Sequence, residues 1–448
     1  MHSTDTHYLG LWWNPLNPEE QYYGTLFIEE NSVHLELFFL QEDLSDMKYQ
    51  RFARSFIDSN TNTIHGCLGG LKPRPVTLFD VNFLDYERQQ LNVLHDGKFY
   101  INAKNVFFDK LIKSAEEKVF SKIDIYLTHL NDWIRPEFPK LFHNENEENG
   151  VTFKYSDPYL FYEKDDLKIY INKSFTQNKT FGNAFEYSLK YIPYVTIQST
   201  AKVSYKESID ILEDIKTFMM ACMRCHPIVE DYKPYFESEP LSHECFLTVT
   251  QHPEKRFTLY KQFADFKNFK TAFENWQKYF HNDRNNFYMF IDLLDNTKNL
   301  QEDRKCEQLV QIIEGFYKAQ GKDKIEITEA HFDLFGCTEK QKKDFIKNGN
   351  KTSMLFAKLV KTLMEEKTEH FKPDFEKIYE HSDDEIFVRF IKAANGFRNF
   401  YSHGATDNSK LDTLHPYYLN SLLLKAVRLI LIQDIIGIKQ VEIELEDL

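Results

Sequence analysis

Cysteine, glycine and proline are scarce in this chain of 448 residues, and basic residues are outnumbered by acidic ones. Its 6 cysteines are unevenly spaced and do not make a disulfide framework. With only 15 glycines and 14 prolines, the composition predicts a compact globular protein without low-complexity segments. The 69 acidic residues exceed the 55 basic ones and give a net charge of −14. This balance disfavours nonspecific coating of nucleic acid or membrane, but it permits a local basic patch.

Long apolar segments are missing as well. The most apolar stretch, residues 422–438, is interrupted by Lys425, Arg428, Gln433 and Asp434, so it predicts no membrane span. Residues 1–7 lack both the basic and the apolar part of a signal peptide. We therefore expect a cytoplasmic protein without a membrane partner.

Two different hydrophobic periods divide the chain. Up to about residue 205 the dominant period is two, which predicts short strands at residues 25–28, 33–39, 76–79, 98–101, 122–127, 168–171 and 194–197. A helix is predicted over 209–220, and nearly everything from 301 to 437 has helical spacing. The prediction is an α+β multidomain chain with a β-rich domain at 1–205, a connecting segment at 206–300 and an all-α domain at 301–448.

A short polar segment in the predicted helical domain carries most of the chemistry. Arg398 and His403 are separated by four residues, and Asn399 directly follows the arginine. On a helix, Lys392, Asn399 and His403 share one face that Arg398 borders. Cations neutralise phosphoryl oxygens, and histidine moves protons near neutral pH. The stripe thus suits a phosphate substrate, although surface contacts or a helix cap before Gly404 would also explain Arg398 and His403.

The segment from Arg398 to His403 resembles the signature of HEPN domains, which are small helical bundles found in many prokaryotic ribonucleases. The segments Tyr8-Leu9-Gly10-Leu11-Trp12-Trp13, Ile64-His65-Gly66 and Val76-Thr77-Leu78 resemble the N-terminal domain of the ApeA group of anti-phage proteins. Residues 309–315 resemble the early helix of the HEPN domain in that group. The resemblance covers most of the chain and implies a β-rich sensing or regulatory domain before an all-α HEPN bundle.

This resemblance implies a metal-independent endoribonuclease that needs no cofactor for catalysis. Two HEPN domains of a homodimer or higher homo-oligomer would line one cleft. In that cleft His403 would act as acid or base and Arg398 would stabilise the phosphorane. Asn399 would orient His403 or hold a phosphoryl oxygen, and Lys392 would add a cation.

The expected substrate is RNA, most plausibly tRNA, with a phage-derived trigger and abortive infection as the outcome. The alternative is a non-catalytic HEPN module that binds RNA or a protein. Residues 419–438 are the candidate helix for the bundle core and for dimer packing.

A second motif concerns metal binding. Cys222, Cys225, His243 and Cys245 form a Cys3His set that suits a tetrahedral structural zinc ion, and residues 230–234 between them are expected to be a loop. His226 is a competing nitrogen ligand. Equally, Cys222 and Cys225 are explained as buried small apolar residues on one helix face.

Basic residues provide the last candidates. Lys340, Lys343, Lys347 and Lys351 follow helical spacing and would form one cationic face, suited either to an RNA backbone or merely to solvent. In the β-rich part, Arg51, Arg54, Lys72 and Arg74 give no signal above chance for nucleic-acid contact.

Overall fold

The computed structural model describes most of the first 247 residues and a set of helices beyond them. The described residues are 6–29, 32–39, 62–83, 97–134, 140–143, 149–152, 158–181, 185–223, 226–237, 242–247, 269–295, 302–319, 339 and 416–437. The chain divides into two compact units, Met1–Lys270 and Thr271–Leu448.

The described strands of the first unit form two large antiparallel sheets and a small one. The larger sheet contains nine strands in the order β16-β8-β5-β4-β1-β2-β3-β7-β6. Its strands are β1 (Thr6–Trp13), β2 (Tyr22–Glu29), β3 (Ser32–Phe39), β4 (Thr63–Leu68), β5 (Arg74–Phe79), β6 (Asn82–Phe83), β7 (Gly97–Ala103), β8 (Asn105–Phe108) and β16 (Cys245–Leu247).

One face of this sheet forms the main hydrophobic core. Its members include Trp12, Leu26, Leu35, Ile64 and Val76, all fully buried. They alternate with outward side chains along each strand, as a sheet with one buried face requires. Consequently Trp12 stands opposite Gly66 on β4, and Gly66 stands opposite Val76 on β5.

A second sheet follows in the order β12-β13-β14-β9-β15. Its strands are β9 (Lys118–Leu127), β12 (Tyr159–Lys164), β13 (Leu167–Phe181), β14 (Phe185–Ser204) and β15 (Val229–Phe236). The strands β13 and β14 form a long hairpin whose register runs from Leu167 opposite Ser199 to Phe181 opposite Phe185. A separate two-stranded sheet pairs β10 (Lys140–His143) with β11 (Asn149–Thr152).

Among the described residues of the first unit, two helices pack with its sheets, α1 (Leu130–Trp133) and α2 (Tyr205–Cys222). The sequence dictates where α2 begins, because Ser204 and Glu207 make a reciprocal capping box. The Glu207 N–H donates to Ser204 Oγ (3.1 Å), and the Ser204 N–H donates to Glu207 Oε2 (2.9 Å). The helix packs its apolar side on β9 and β14. It therefore completes the β-rich unit.

All the described secondary-structure elements of the second unit are helices. Its helices are α3 (Phe269–Asn282, which begins two residues before the unit boundary), α4 (Arg284–Asp295), α5 (Glu302–Ala319) and α6 (Pro416–Leu429). A π-helical turn (Ile430–Ile435) continues α6. The helices α4 and α6 both pack on α5. None of the described helices is both long enough and apolar enough to cross a membrane.

The β-rich first part is confirmed, and the predicted strands at 25–28, 33–39, 76–79 and 122–127 lie within β2, β3, β5 and β9. The loop expected at 230–234 is wrong, since those residues lie in β15 and pair with β9. Pro234 is tolerated there because β15 is an edge strand. Residues 206–247, assigned from sequence to a connecting segment, contribute α2, β15 and β16 to the first unit.

Candidate functional site

The predicted catalytic residues Lys392, Arg398, Asn399 and His403 lie outside the described residues. The same holds for the predicted RNA-binding face formed by Lys340, Lys343, Lys347 and Lys351. What the structure describes is the helical frame on either side of them in sequence. The segment 309–315, which resembles an early HEPN helix, lies within α5.

A polar contact joins α5 to α6 inside this frame. The Asn420 side-chain amide donates to the backbone oxygen of Glu302 (2.6 Å) and to Glu302 Oε2 (2.8 Å). On the other carboxylate oxygen, Lys305 Nζ lies 2.7 Å from Glu302 Oε1. One end of α5 is thus fixed against the start of α6 by hydrogen bonds as well as by apolar packing.

Two buried cations distinguish α6 from an ordinary apolar core helix. Lys425 and Arg428 are both buried, beside the fully buried Leu423 and Val427. A charged side chain is seldom buried, because its desolvation is costly unless polar groups surround it. Among the described positions of residues 419–438, the side chains of Leu419, Leu423 and Val427 are buried within the chain, and the dimer packing expected for this helix stays a prediction.

The proposed zinc ligands are described in part. Cys222 is buried in the last turn of α2, whereas Cys245 lies in β16 opposite Phe107 and Cys225 lies outside the described residues. The His243 N–H donates to the Pro234 oxygen (3.0 Å), and its ring packs edge-on against Phe236. Within the part of the chain that the structure describes, no three His, Cys, Asp or Glu side chains are arranged to hold a metal ion. Burial raises the pKa of the Cys245 thiol, which metal binding would have to offset.

The segments that resemble the ApeA N-terminal domain meet in the nine-stranded sheet. Tyr8 to Trp13 belong to β1, and Ile64 to Gly66 belong to β4, its direct neighbour. The indole of Trp12 lies against the bare backbone of Gly66, and its Nε1 donates to the Gly24 oxygen on β2 (3.2 Å). Because a Cβ at Gly66 would overlap the ring, the position of the Trp12 indole requires glycine at position 66.

His65 and Thr77 hold a loop onto the opposite face of the same strands. The two residues stand opposite each other on β4 and β5, and both are buried. His65 Nε2 lies 2.8 Å from the Ile112 oxygen, so the ring donates there as the Nε2–H tautomer. Thr77 Oγ1 donates to the Lys110 oxygen (2.9 Å) and accepts from the Ile112 N–H (3.0 Å). Burial lowers the pKa of His65 and favours its neutral ring.

A buried polar joint links the nine-stranded sheet to α2. The Tyr205 hydroxyl donates to Asp80 Oδ2 (3.0 Å) and accepts from the Asn105 amide. Its ring stacks on Phe79 at 4.6 Å between centroids, with the planes 5° apart. Burial raises the pKa of Tyr205, and the neighbouring Asp80 carboxylate raises it further. Tyr205 therefore stays a neutral hydrogen-bonding group that connects both sheets through α2.

Arg74 has a structural role in the described sheet. It makes a bidentate contact with Asp109 (2.7 and 2.8 Å) and reaches Glu244 Oε2 (2.7 Å). Its guanidinium also lies 4.3 Å from the centre of the Phe108 ring. The hydrogen bond with Arg74 lowers the pKa of Asp109. Because Glu244 directly precedes β16, these contacts hold the last strand at the sheet edge.

A third network lies on one face of the five-stranded sheet. Thr196 Oγ1 donates to the buried Asp124 Oδ1 (2.6 Å) and accepts from the Asn172 amide (2.5 Å). Lys122 Nζ lies 2.8 Å from Asp124 Oδ2 and 4.5 Å from the centre of the Tyr235 ring. Burial, followed by the charge of Asp124, raises the pKa of Tyr235 to about 12. These groups bind one another, so the network stabilises the pairing of four strands.

The protein thus has a β-rich first unit, whose larger sheet contains the contact between Gly66 and Trp12, and a helical second unit. The family described as ApeA N-terminal domain 1 matches residues 7–281, more than half of the chain. The chain therefore belongs to the ApeA family, which places it among anti-phage defence proteins. No curated protein and no solved structure matches the chain significantly. The match confirms the resemblance of the N-terminal segments.

Proposed function

We propose that this chain is an anti-phage endoribonuclease in which residues 301–448 form a HEPN domain. The observation that carries the proposal is the family match over residues 7–281, combined with the Arg398-Asn399-Phe400-Tyr401-Ser402-His403 segment that follows in the helical unit. The described helices support the proposal, because α5 precedes that segment in sequence, α6 follows it, and the two helices pack on each other. The damage to cellular RNA, with tRNA as the proposed substrate, would then cause abortive infection.

The proposed chemistry uses the ribose 2′-hydroxyl as nucleophile. His403 removes its proton, or protonates the leaving oxygen, since imidazole titrates near neutral pH. Arg398 stabilises the charge that develops on the phosphorane, and Lys392 adds a second cation. Asn399 orients the imidazole or holds a phosphoryl oxygen. The reaction needs no metal ion and leaves a 2′,3′-cyclic phosphate, so DNA is not a substrate.

Each chain contains one such segment, and we propose that two chains form the cleft together. The Lys340 to Lys351 face would hold the RNA backbone beside the cleft through its four lysines. A phage-derived trigger would act through the β-rich unit.

The test compares Arg398→Ala and His403→Ala with matched substitutions on exposed surfaces of the helical unit. Arg304→Ala and His281→Ala are suitable controls, because both side chains are exposed and lie on α5 and α3. We expect purified wild-type protein to cleave tRNA, the site variants to lose activity by roughly 10²-fold or more, and the controls to retain it. The RNA ends should carry a cyclic phosphate, and chelators should have no effect.

Two outcomes would contradict the catalytic assignment. If Arg398→Ala and His403→Ala both cleave RNA like the wild type, these residues are not catalytic. If the wild type binds RNA without cleaving it, even in extract from infected cells, the chain is a non-catalytic HEPN binding module instead.

A further inference from the structure

The two large sheets of the first unit are joined by residues 109–117, which we call the connection. It leaves the nine-stranded sheet after β8 and enters the five-stranded sheet at β9. Ile112 in its middle is 1% exposed, whereas the preceding Leu111 is 43% exposed. The connection is therefore anchored at Ile112, on the face of β4 and β5 that carries His65 and Thr77.

Hydrogen bonds hold the connection along its whole length. The Asp109 N–H donates to the Pro75 oxygen on β5 (2.7 Å), and the Lys206 N–H at the start of α2 donates to the Ala115 oxygen (2.9 Å). Between these ends, the N–H and the oxygen of Ile112 are bonded by side chains of β5 and β4. These bonds fix the path from the first sheet to the second.

Among these bonds, the one from His65 responds to pH near neutrality, because imidazole changes its charge between about pH 5 and 8. The ring is 6% exposed, lies edge-on to Trp13 at 6.1 Å between centroids, and donates from Nε2 to the Ile112 oxygen. Among the described residues, no group accepts a hydrogen bond from Nδ1. A proton added at Nδ1 therefore finds no protein partner while the connection is closed.

The charges around the ring do not offset this loss. Burial lowers the pKa of His65, and it outweighs the bond to the Ile112 oxygen and the Glu117 carboxylate, which act in the opposite direction. The Glu117 carboxylate is itself engaged, since the Lys113 N–H donates to it (2.6 Å). The other titratable or charged groups on the elements around the ring are Cys67 on β4, Arg74 on β5, Asp109, Lys110, Lys113 and Glu116 on the connection, and Lys206 and Glu207 on α2. Of these, Asp109, Glu116 and Glu207 are paired with Arg74, Lys206 and Lys118.

We propose that His65 is a proton-sensitive latch, which holds the connection on the nine-stranded sheet while its ring is neutral and releases it when the ring is protonated. Release lets the imidazolium hydrate and moves Ile112 away from β4 and β5. The link from the first sheet to β9 and α2 then loosens, so the first unit has two arrangements that pH selects. This inference does not depend on the ribonuclease proposal, because its readout is hydrogen exchange of the backbone.

The sign and the size of the effect follow from proton linkage. In the open state His65 binds a proton near the ordinary value of 6.5, and in the closed state burial shifts its pKa below this value. Opening therefore takes up a proton as the pH falls below 6.5, and the opening constant rises by at most about tenfold per pH unit. Above about pH 7.5 the ring is neutral in both states, and the opening constant should not change.

Hydrogen exchange of the full-length protein, resolved at single N–H groups and corrected for intrinsic pH dependence, tests the latch. The reporters are the N–H groups of Ile112 and Asp109, and the reference is the N–H of Leu78 in β5. We expect the reporters to exchange faster than the reference at every pH and to accelerate, by up to about tenfold per unit, from about pH 7 to 5.5. In His65→Gln this acceleration should vanish, because the amide can still donate to the Ile112 oxygen but does not titrate.

A second variant keeps the test decisive if His65→Gln folds poorly. Thr77→Val removes the hydroxyl that bonds Lys110 and Ile112 but keeps His65. Asp109 should then exchange faster at every pH, with the same dependence on pH as in the wild type.

Three results would overturn the inference. One is that the reporters exchange as slowly as Leu78, so that the connection opens only when the whole unit unfolds. Another is that the wild type and His65→Gln accelerate equally as the pH falls. The third is that Thr77→Val loses the pH dependence although it retains His65.

Discussion

Replacing Gly66 with alanine should destabilise the β-rich unit more than a single methyl group normally would. The added Cβ would lie 3.0 Å from Cδ2 of Trp12 and closer still to Cε3 and Cζ3. Favourable carbon–carbon contacts are about 3.5–4.0 Å long, so the ring or the strand would have to move. The indole cannot retreat easily, because it is fully buried and its Nε1 is bonded to the Gly24 oxygen.

The magnitude follows from two opposing terms. Overpacking a closed core costs about 1–3 kcal/mol, and the rigid ring favours the upper end. Replacing glycine lowers the entropy of the unfolded chain, which returns about 0.4–1 kcal/mol. A net loss of about 2 kcal/mol in the free energy of unfolding should lower Tm by about 4–8 °C. Urea and thermal unfolding followed by tryptophan fluorescence will measure it, since Trp12, Trp13 and Trp133 all lie in this unit.

Gly69→Ala is the matched control. A Cβ at Gly69 would meet only the Leu9 oxygen at 3.5 Å, an ordinary contact, so this variant should be as stable as the wild type or slightly more. Adding Trp12→Leu to Gly66→Ala should cost less than the sum of the single changes, because the smaller side chain removes the overlap. If Gly66→Ala unfolds like Gly69→Ala, the proposed steric relation between Gly66 and Trp12 is refuted.

Three further outcomes follow from the described contacts. Tyr205→Phe removes the hydroxyl that bonds Asp80 and Asn105, so the free energy of unfolding should fall by about 1–3 kcal/mol in urea titrations, and an unchanged midpoint would contradict the joint. Burial lowers the pKa of His65, so the unfolded state takes up the proton first as pH falls below 6.5. Stability should therefore decrease between pH ~7.5 and ~5.5 more steeply in the wild type than in His65→Gln, and parallel pH profiles would disprove this. The zinc hypothesis, which no described contact supports, predicts about one equivalent of metal in purified protein that Cys222→Ser loses, and metal-free wild type would remove it.

The strands were predictable where one face of a sheet is buried and the other is not. In β2 and β3 the alternation of buried and outward residues is almost perfect, and the period of two in the sequence records it. The start of α2 was equally local, since Ser204 and Glu207 cap the helix by themselves. Such features depend only on residues that are close in sequence, so a single sequence is enough to predict them.

Features that depend on distant pairing were not predictable in the same way. Residues 230–234 contain two acidic residues and a proline and were expected to form a loop, yet β9 pairs with them and buries Tyr232 and Phe236. Arg74 gave no signal in sequence, because Glu244, one of its ion-pair partners, is 170 residues away. The glycine at position 66 matched a family pattern, but its physical reason became visible only when Trp12 was placed across from it.

The helix α6 should stabilise its own chain and should not hold two chains together. The sequence made residues 419–438 the candidate helix for both the bundle core and dimer packing, and Leu423 is fully buried within a single chain. Leu423→Ala should therefore lower the free energy of unfolding by about 2–5 kcal/mol, through lost apolar contact and the cavity that remains. Sedimentation at concentrations where the protein is folded should find the same oligomeric state as the wild type. If the variant instead dissociates with an unchanged unfolding midpoint, α6 is an interface helix, and the cleft proposed between two chains would be built on it.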